Sequence, residues 1–173
     1  MTTGPDAAIP DPPDHVARIM AQWAAERPDL DTSPQGVFGR LSRLTARLTD
    51  ELAVVYGEFG LGRGEFDILA TLRRSGEPFE LTPGELAETT MVTSGAITKQ
   101  VDRCVQRGLV ERRVSEGDAR GRVVSLTPAG RDLIDRAFTA HIANEHRLLS
   151  PLDGGERATM ARLLERWGRE LEA

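Results

Sequence analysis

Hydroxyl, amide and cationic side chains recur at helical spacing near the middle of the chain. They lie opposite an apolar stripe of Ile97, Val101 and Cys104, so that one face of a helix is polar. This face offers Ser94, Gly95, Thr98, Lys99, Asp102, Arg103 and Gln106, and Thr93 precedes it as an alternative N-cap to Ser94. Small residues at a helix start let its N–H groups approach an anion closely. These residue types predict contacts with phosphates and base edges in a DNA major groove.

A second group of cations follows in a predicted β-hairpin. Its strands are 109–114 and 122–126, and the loop between them, 115–121, contains two glycines and an aspartate. An arginine at such a tip can reach into the narrow, electronegative minor groove. We therefore add Arg113, Asp118, Arg120 and Arg122 to the predicted DNA contacts, with Asp118 orienting a neighbouring arginine.

The charge distribution agrees with this hypothesis, although the total does not suggest it. The chain of 173 residues carries a net charge of -5, whereas residues 91–130 carry +3 and the rest -8. An acidic body with one basic segment is typical of a protein that presents one surface to phosphate.

Helices must position these groups. We predict them at about 14–27, from 32 onward, 65–74, 86–90, from Thr93 or Ser94 to about 107, 128–149, and from 153 to the C-terminus. In the last of these helices we expect Met160, Leu163, Leu164 and Trp167 to face inward. Thr82 and Glu85 form a capping box, and Gly108 suits a helix end. The expected fold is mainly α with a small β-wing (α+β): a winged helix-turn-helix with a helical dimerisation domain.

This organisation predicts four regions. Residues 1–13 form a proline-rich flexible tail, and 14–61 contain helices for dimerisation and for a possible ligand cleft. Residues 62–127 form the DNA-binding domain, and 128–173 form the C-terminal dimerisation helices.

Four stretches resemble the MarR (multiple antibiotic resistance regulator) family. They are LAE at 86–88, SGAITKQVDR at 94–103, GLVER at 108–112 and GDARGRVVSLTPAG at 117–130. The resemblance implies a homodimer in which the first long helix and the two C-terminal helices interlock. It also implies a palindromic operator and release by a small ligand. The residues support the dimer separately, because terminal helices with apolar stripes need a partner surface, and a two-fold dimer places half-sites about 10 base pairs apart.

One branch of that family, the urate-responsive regulators, resembles the layout with an extra N-terminal helix. The resemblance implies a ligand site at Trp23, Asp67 and Arg112. Lys99 and Gln100 stand where that branch has a second arginine, so another organic anion, such as an aromatic or polycarboxylic acid, fits as well as urate. The alternative for Trp23 is that it only packs its helix.

Other chemistry finds little support. Cys104 lies on the apolar stripe and is expected to be a buried structural thiol. His141 and His146 are five residues apart, which does not place them on one helical face, so we expect no metal site and no cofactor. No catalytic constellation can be assembled, and no apolar run spans a bilayer, so we expect a cytoplasmic protein that is not an enzyme.

The function predicted from the sequence is a ligand-responsive transcriptional regulator, a repressor that covers a promoter until a small organic anion releases it. An activator or a ligand-independent regulator of the same fold remains an alternative. A winged helix that binds protein is the alternative from another class.

Overall fold

The computed structural model describes residues 12–90, 94–114 and 122–172, without the side chains of 94–96. By its internal contacts the chain divides into two units, Met1–Asp50 and Glu51–Ala173. The predicted tail lies largely outside the described residues, as do Thr93 and the hairpin tip at 115–121.

The first unit contains α1 (His15–Glu26) and most of α2 (Gln35–Glu58). Asp14 caps α1, since its carboxylate accepts from the N–H of Ala17 at 2.7 Å, and it also pairs with Arg40 at 2.8 Å. The helix predicted from Thr32 begins at Gln35 instead. The preceding residues form a turn in which the backbone N–H of Ser33 donates to the carboxylate of Asp31 at 2.9 Å.

The second unit continues α2 and adds the remaining elements in chain order. They are α3 (Arg63–Arg74), β1 (Glu80–Leu81), α4 (Pro83–Thr89), α5 (Ser94–Gln106), β2 (Val110–Val114), β3 (Arg122–Leu126), α6 (Pro128–Leu148) and α7 (Gly154–Glu172). The three strands form an antiparallel sheet in the order β1-β3-β2. The mainly helical fold with a small wing is confirmed; β1 is the element that the sequence prediction missed.

The core of the second unit is built where the apolar stripes predicted it. Phe66, Leu69 and Leu72 of α3 are buried, and so is the inner stripe of α5, Ile97, Val101 and Cys104. Leu86 of α4, Val110 and Val124 of the sheet and Ile134 and Ala137 of α6 complete most of the cluster. Burial of this apolar area holds the helices and the sheet together.

The predicted capping residues fix where the helices begin. Thr82 accepts from Glu85 N–H at 3.2 Å, and the Glu85 carboxylate accepts from Thr82 N–H at 2.8 Å. Thr127 caps α6 by accepting from Gly130 N–H at 3.0 Å, and Asp153 and Glu156 cap each other before α7. Gly108 ends α5 with φ of 67°, a value that glycine adopts readily.

The packing predicted for α7 was wrong for a single chain. Met160, Leu163 and Leu164 were expected to face inward, but they are 42%, 47% and 45% exposed. These side chains share one face of α7 at helical spacing, and one chain does not bury that face. Apolar periodicity identifies such a face without identifying what covers it.

Candidate DNA-binding surface

The α4–α5 pair presents a polar face because its apolar face is anchored in the core. Ile97 and Val101 are at most 5% exposed, and Cys104 is fully buried. Thr98, Lys99 and Arg103 are exposed on the other side of α5, and Asp102 is half-buried. A helix held in this way offers hydroxyl and cationic groups to solvent in a fixed orientation, as major-groove reading requires.

The C-terminal end of α5 is tied to the start of α3 by a buried acid. Glu65 is 7% exposed, and its carboxylate accepts from Gly62 N–H at 2.8 Å. The other carboxylate oxygen lies 3.0 Å from Arg107, which also donates to the carbonyl of Gly60 at 2.9 Å. These bonds satisfy an acid that would otherwise be costly to bury.

Helices α3 and α5 also approach closely at a glycine. A Cβ built on Gly64 would lie 2.6 Å from Cδ of Gln100. The side chain of Gln100, which with Lys99 stands where the resemblance to the urate-responsive branch implied a second arginine, packs against α3.

The hairpin of β2 and β3, called the wing below, carries arginines that are already paired. Arg112 Nη2 lies 2.7 Å from Asp102 Oδ1 on α5. Arg113 lies between two acids, with Nη2 3.2 Å from Glu80 Oε2 and Nε 3.1 Å from Glu111 Oε1. The wing is therefore linked by ion pairs to α5 and to β1, links that the sequence analysis did not predict.

The remaining predicted DNA contacts are described in part. Arg122 is exposed and pairs in register with Val114 at the end of the wing that adjoins the hairpin tip. Ser94 and Gly95 lie in the first turn of α5, where only the backbone is described. Thr93, Asp118 and Arg120 lie outside the described residues. The role of the whole set in DNA contact stays a prediction.

The predicted ligand residues lie in both units. Trp23, on α1 in the first unit, is 46% exposed. In the second unit Asp67 is half-buried on α3, and Arg112 is exposed with Asp102 as its partner. Their joint role in binding a ligand stays a prediction.

The second unit also contains an aromatic cluster that the sequence analysis missed. Tyr56 stacks on Phe66 with ring centroids 4.2 Å apart, and its hydroxyl lies 3.4 Å from Nδ1 of His141. His141 Nε2 lies 3.2 Å from Glu145. Burial raises the pKa of the Tyr56 phenol, and the charge of Glu145 adds to this effect. Helical spacing along α2 placed Tyr56 beside the apolar stripe. It could not reveal a contact between Tyr56 and His141, because these residues are 85 positions apart in the chain.

The described residues contain no group of three or more His, Cys, Asp or Glu side chains that could hold a metal ion. Within the same residues, no helix has the length and apolar character needed to cross a membrane. Cys104 is buried, and burial raises the pKa of its thiol to about 12, as expected for a structural thiol.

Comparisons with known proteins agree with this geometry. Residues 59–121 match the sequence profile of the MarR family. The transcriptional regulator PecS of Dickeya dadantii is 38% identical over 156 residues, which cover 90% of this chain and 94% of PecS. AbsC, a MarR family transcriptional regulator from Streptomyces coelicolor, superposes with a TM-score of 0.74 at 24% identity, covering 83% of this chain and 97% of AbsC. A mutant MarR from Escherichia coli complexed with operator DNA superposes with a TM-score of 0.66 at 25% identity, covering 83% and 96%.

Proposed function

Because the chain belongs to the MarR family of winged-helix transcriptional regulators, which bind DNA and are not enzymes, we propose that it is a ligand-responsive repressor. It binds a palindromic operator as a homodimer, and a small organic anion releases it. The observation that carries the proposal is the exposed polar face of α5, with Thr98, Lys99 and Arg103 on a helix whose other face is fixed in the core.

In this proposal α5 enters the major groove and the wing tip reaches the minor groove. The α5 side of the surface comprises Thr93, Ser94, Gly95, Thr98, Lys99, Asp102 and Arg103. The wing tip, taken together with the adjoining first residue of β3, provides Asp118, Arg120 and Arg122. Asp102 reaches the surface already paired with Arg112 at 2.7 Å, which reduces its repulsion of phosphate. The cations supply affinity that decreases with salt, and side chains at base edges supply specificity.

The homodimer is supported by apolar faces that one chain leaves open. Leu163 and Leu164 of α7 are nearly half exposed, and Leu44 and Leu48 of α2 are 51% and 40% exposed. Large apolar side chains spaced along one helical face mark an interface with another surface. A second copy of the chain supplies the same faces by two-fold symmetry, and places two α5 helices roughly 34 Å apart for successive major grooves.

The proposed effector is an organic anion that binds at Trp23, Asp67 and Arg112, for which the ring and the guanidinium provide suitable chemistry. It releases DNA only if it binds the free dimer more tightly than the DNA-bound dimer. Urate, aromatic acids and polycarboxylic acids are the compounds to screen.

A mobility-shift titration tests the proposal. The probe is the DNA upstream of the protein's own gene, at two salt concentrations, with unrelated DNA as competitor. We expect a specific shift at nanomolar protein that weakens with salt. The variant Lys99→Gln with Arg103→Gln should lose affinity and lower the salt slope by about 2, whereas Arg27→Gln, on an exposed pair with Asp29, should not.

The alternatives predict different results in the same assay. An activator would give the same shift but raise transcription in a reporter. A ligand-independent regulator would keep its shift with every anion tested. A protein-binding winged helix would give no specific shift, and a selection from random DNA would then return no common sequence.

A further inference from the structure

The wing, β1 and the helix pair are connected through one row of side chains. Glu80 of β1 pairs in register with Ser125 of β3, which pairs with Glu111 of β2. Residues paired directly across strands project to the same face of a sheet, so the two carboxylates lie on either side of Ser125. Arg113, two residues beyond Glu111, projects to that face as well.

The guanidinium of Arg113 spans this row. Its Nη2 lies 3.2 Å from Glu80 Oε2 on one edge strand, and its Nε lies 3.1 Å from Glu111 Oε1 on the other. Since β3 runs between β1 and β2, the side chain crosses the central strand. Val123 and Ser125, on this face of β3, are 6% and 0% exposed. Arg113 thereby ties the two outer strands of the sheet together.

The ion pair of Arg113 with Glu80 also connects the wing to the α4–α5 pair, because β1 is followed directly by α4. Thr82 follows β1 and caps α4. Arg113 therefore links the wing to the start of α4, just as Arg112 links it to α5 through Asp102. Strand β1 has only two residues, so it makes few register bonds to β3, and the ion pair of Glu80 with Arg113 is an additional side-chain link between β1 and the wing.

The local charge argues against a phosphate as the partner of Arg113. One guanidinium faces two carboxylates, so the three groups together carry a charge of -1 at neutral pH. A phosphate would have to displace one of the acids or accept their repulsion. Arg122, at the end of β3 beside the hairpin tip, has no carboxylate partner among the described residues, so none of those residues holds it as Glu80 and Glu111 hold Arg113.

We propose that Arg113 is a positioning residue rather than a DNA contact. Held by Glu80 and Glu111, it fixes the angle of the wing to the α4–α5 pair, so that the wing tip and α5 reach their grooves together. This inference rests on the proposed DNA-binding function and replaces, for Arg113, the direct contact that the sequence predicted.

The two roles predict opposite effects for Glu80→Gln. If Arg113 acts as a brace, meaning that it positions the wing, then removing the charge of its partner Glu80 loosens the wing. DNA binding should then weaken by about 2- to 5-fold, the range of an exposed ion pair. If Arg113 binds phosphate, the same change removes a competitor and tightens binding. The assay is fluorescence anisotropy of the full-length protein at 25 °C, with a duplex that the wild type has selected from random sequence. Circular dichroism at that temperature confirms that each variant is folded.

Two further variants separate positioning from mere stability. Glu80→Gln and Arg113→Gln should be non-additive, because each breaks the same tie. The Glu80→Gln effect should also vanish when Arg120 and Arg122 are both replaced by Gln, since the brace acts through the tip. Glu77→Gln is the matched control, because Glu77 is 78% exposed and lies 3.9 Å from Arg131, away from this row.

Tighter binding by Glu80→Gln would overturn the brace, as would unchanged binding with only a lower Tm, or a loss that persists without the tip arginines. A wild-type protein that selects no DNA sequence would instead overturn the proposed function, and the brace with it.

Discussion

Gly130 lies against the carbonyl oxygen of Leu109, so closely that a Cβ built on Gly130 would be 1.9 Å from that oxygen. The contact joins the first turn of α6 to the start of the wing. Thr127 N–H donates to the same carbonyl at 3.1 Å, so the two segments meet through their backbones. The position of the wing relative to α6 depends on the absence of a side chain at this residue.

Gly130→Ala should therefore lower the free energy of unfolding by at least about 2 kcal/mol, because backbone rather than a flexible side chain must move. Gly57→Ala is the control: nothing lies within 4 Å of a Cβ there, and alanine should stabilise α2 by about 0.5–1 kcal/mol. Urea denaturation of both variants measures the difference. Equal stabilities for the two would contradict the close approach.

Arg107→Met should destabilise the fold by about 1–3 kcal/mol, since it removes the cation that faces the buried Glu65 carboxylate at 3.0 Å. Arg169→Met is the control, because Arg169 pairs with Glu165 on the surface of α7 and exposed pairs contribute little. The double variant Arg107→Met with Glu65→Gln should recover part of the loss, because no unpaired charge then remains buried. A loss for Arg107→Met no larger than for Arg169→Met would show that the buried pair contributes little.

The sequence predicted what depends on neighbours along the chain. The capping box of Thr82 and Glu85 and the buried stripe of α5 follow from spacings of three and four residues, and both are confirmed. Strand β1 was missed because two residues carry no period. The pairing of Arg113 with Glu80 depends on a strand register between residues 33 positions apart, which spacing does not encode. Apolar periodicity likewise does not identify the surface that covers the apolar face of α7.

Cys104 should react with thiol reagents only when the protein unfolds. Burial raises its pKa from an ordinary value near 9 to about 12, so the thiol stays protonated in the folded state at neutral pH. Labelling by iodoacetamide at pH 8 should follow the urea transition. Rapid labelling of the native protein would contradict the burial.

The same shift gives Cys104 a pH dependence. An acid whose pKa is higher in the folded state stabilises the fold fully below the unfolded value, and this contribution is lost as pH rises from about 9 through about 12. Wild type should therefore lose more stability than Cys104→Ala across that range. Parallel stability curves for the two proteins would exclude this linkage.

The exposed face of α7 should hold two chains together. Leu163→Glu with Leu164→Glu places charges at positions that are nearly half exposed in one chain, and it should convert a dimer to a monomer in light scattering. Arg162→Glu introduces the same side chain at an exposed position on the opposite face and should leave the dimer intact. Dimers that survive the leucine changes would place the interface elsewhere. The monomeric variant should also bind operator DNA more weakly than the dimer, because two linked α5 helices bind with avidity.

Lys99 is the only lysine of the chain and lies on the exposed face of α5, so an amine reagent reports directly on that face. Operator DNA should slow acetylation of Lys99 several-fold while the α-amino group, as internal reference, reacts as before. High salt should abolish the protection, because it removes the phosphate contacts. The control protein carries Lys99→Arg and Arg169→Lys, which moves the single lysine to a site on α7 where the arginine is 75% exposed, and DNA should not protect it there. If bound DNA left Lys99 as reactive as the control lysine, α5 would not face the groove, and DNA binding would have to be assigned to another surface.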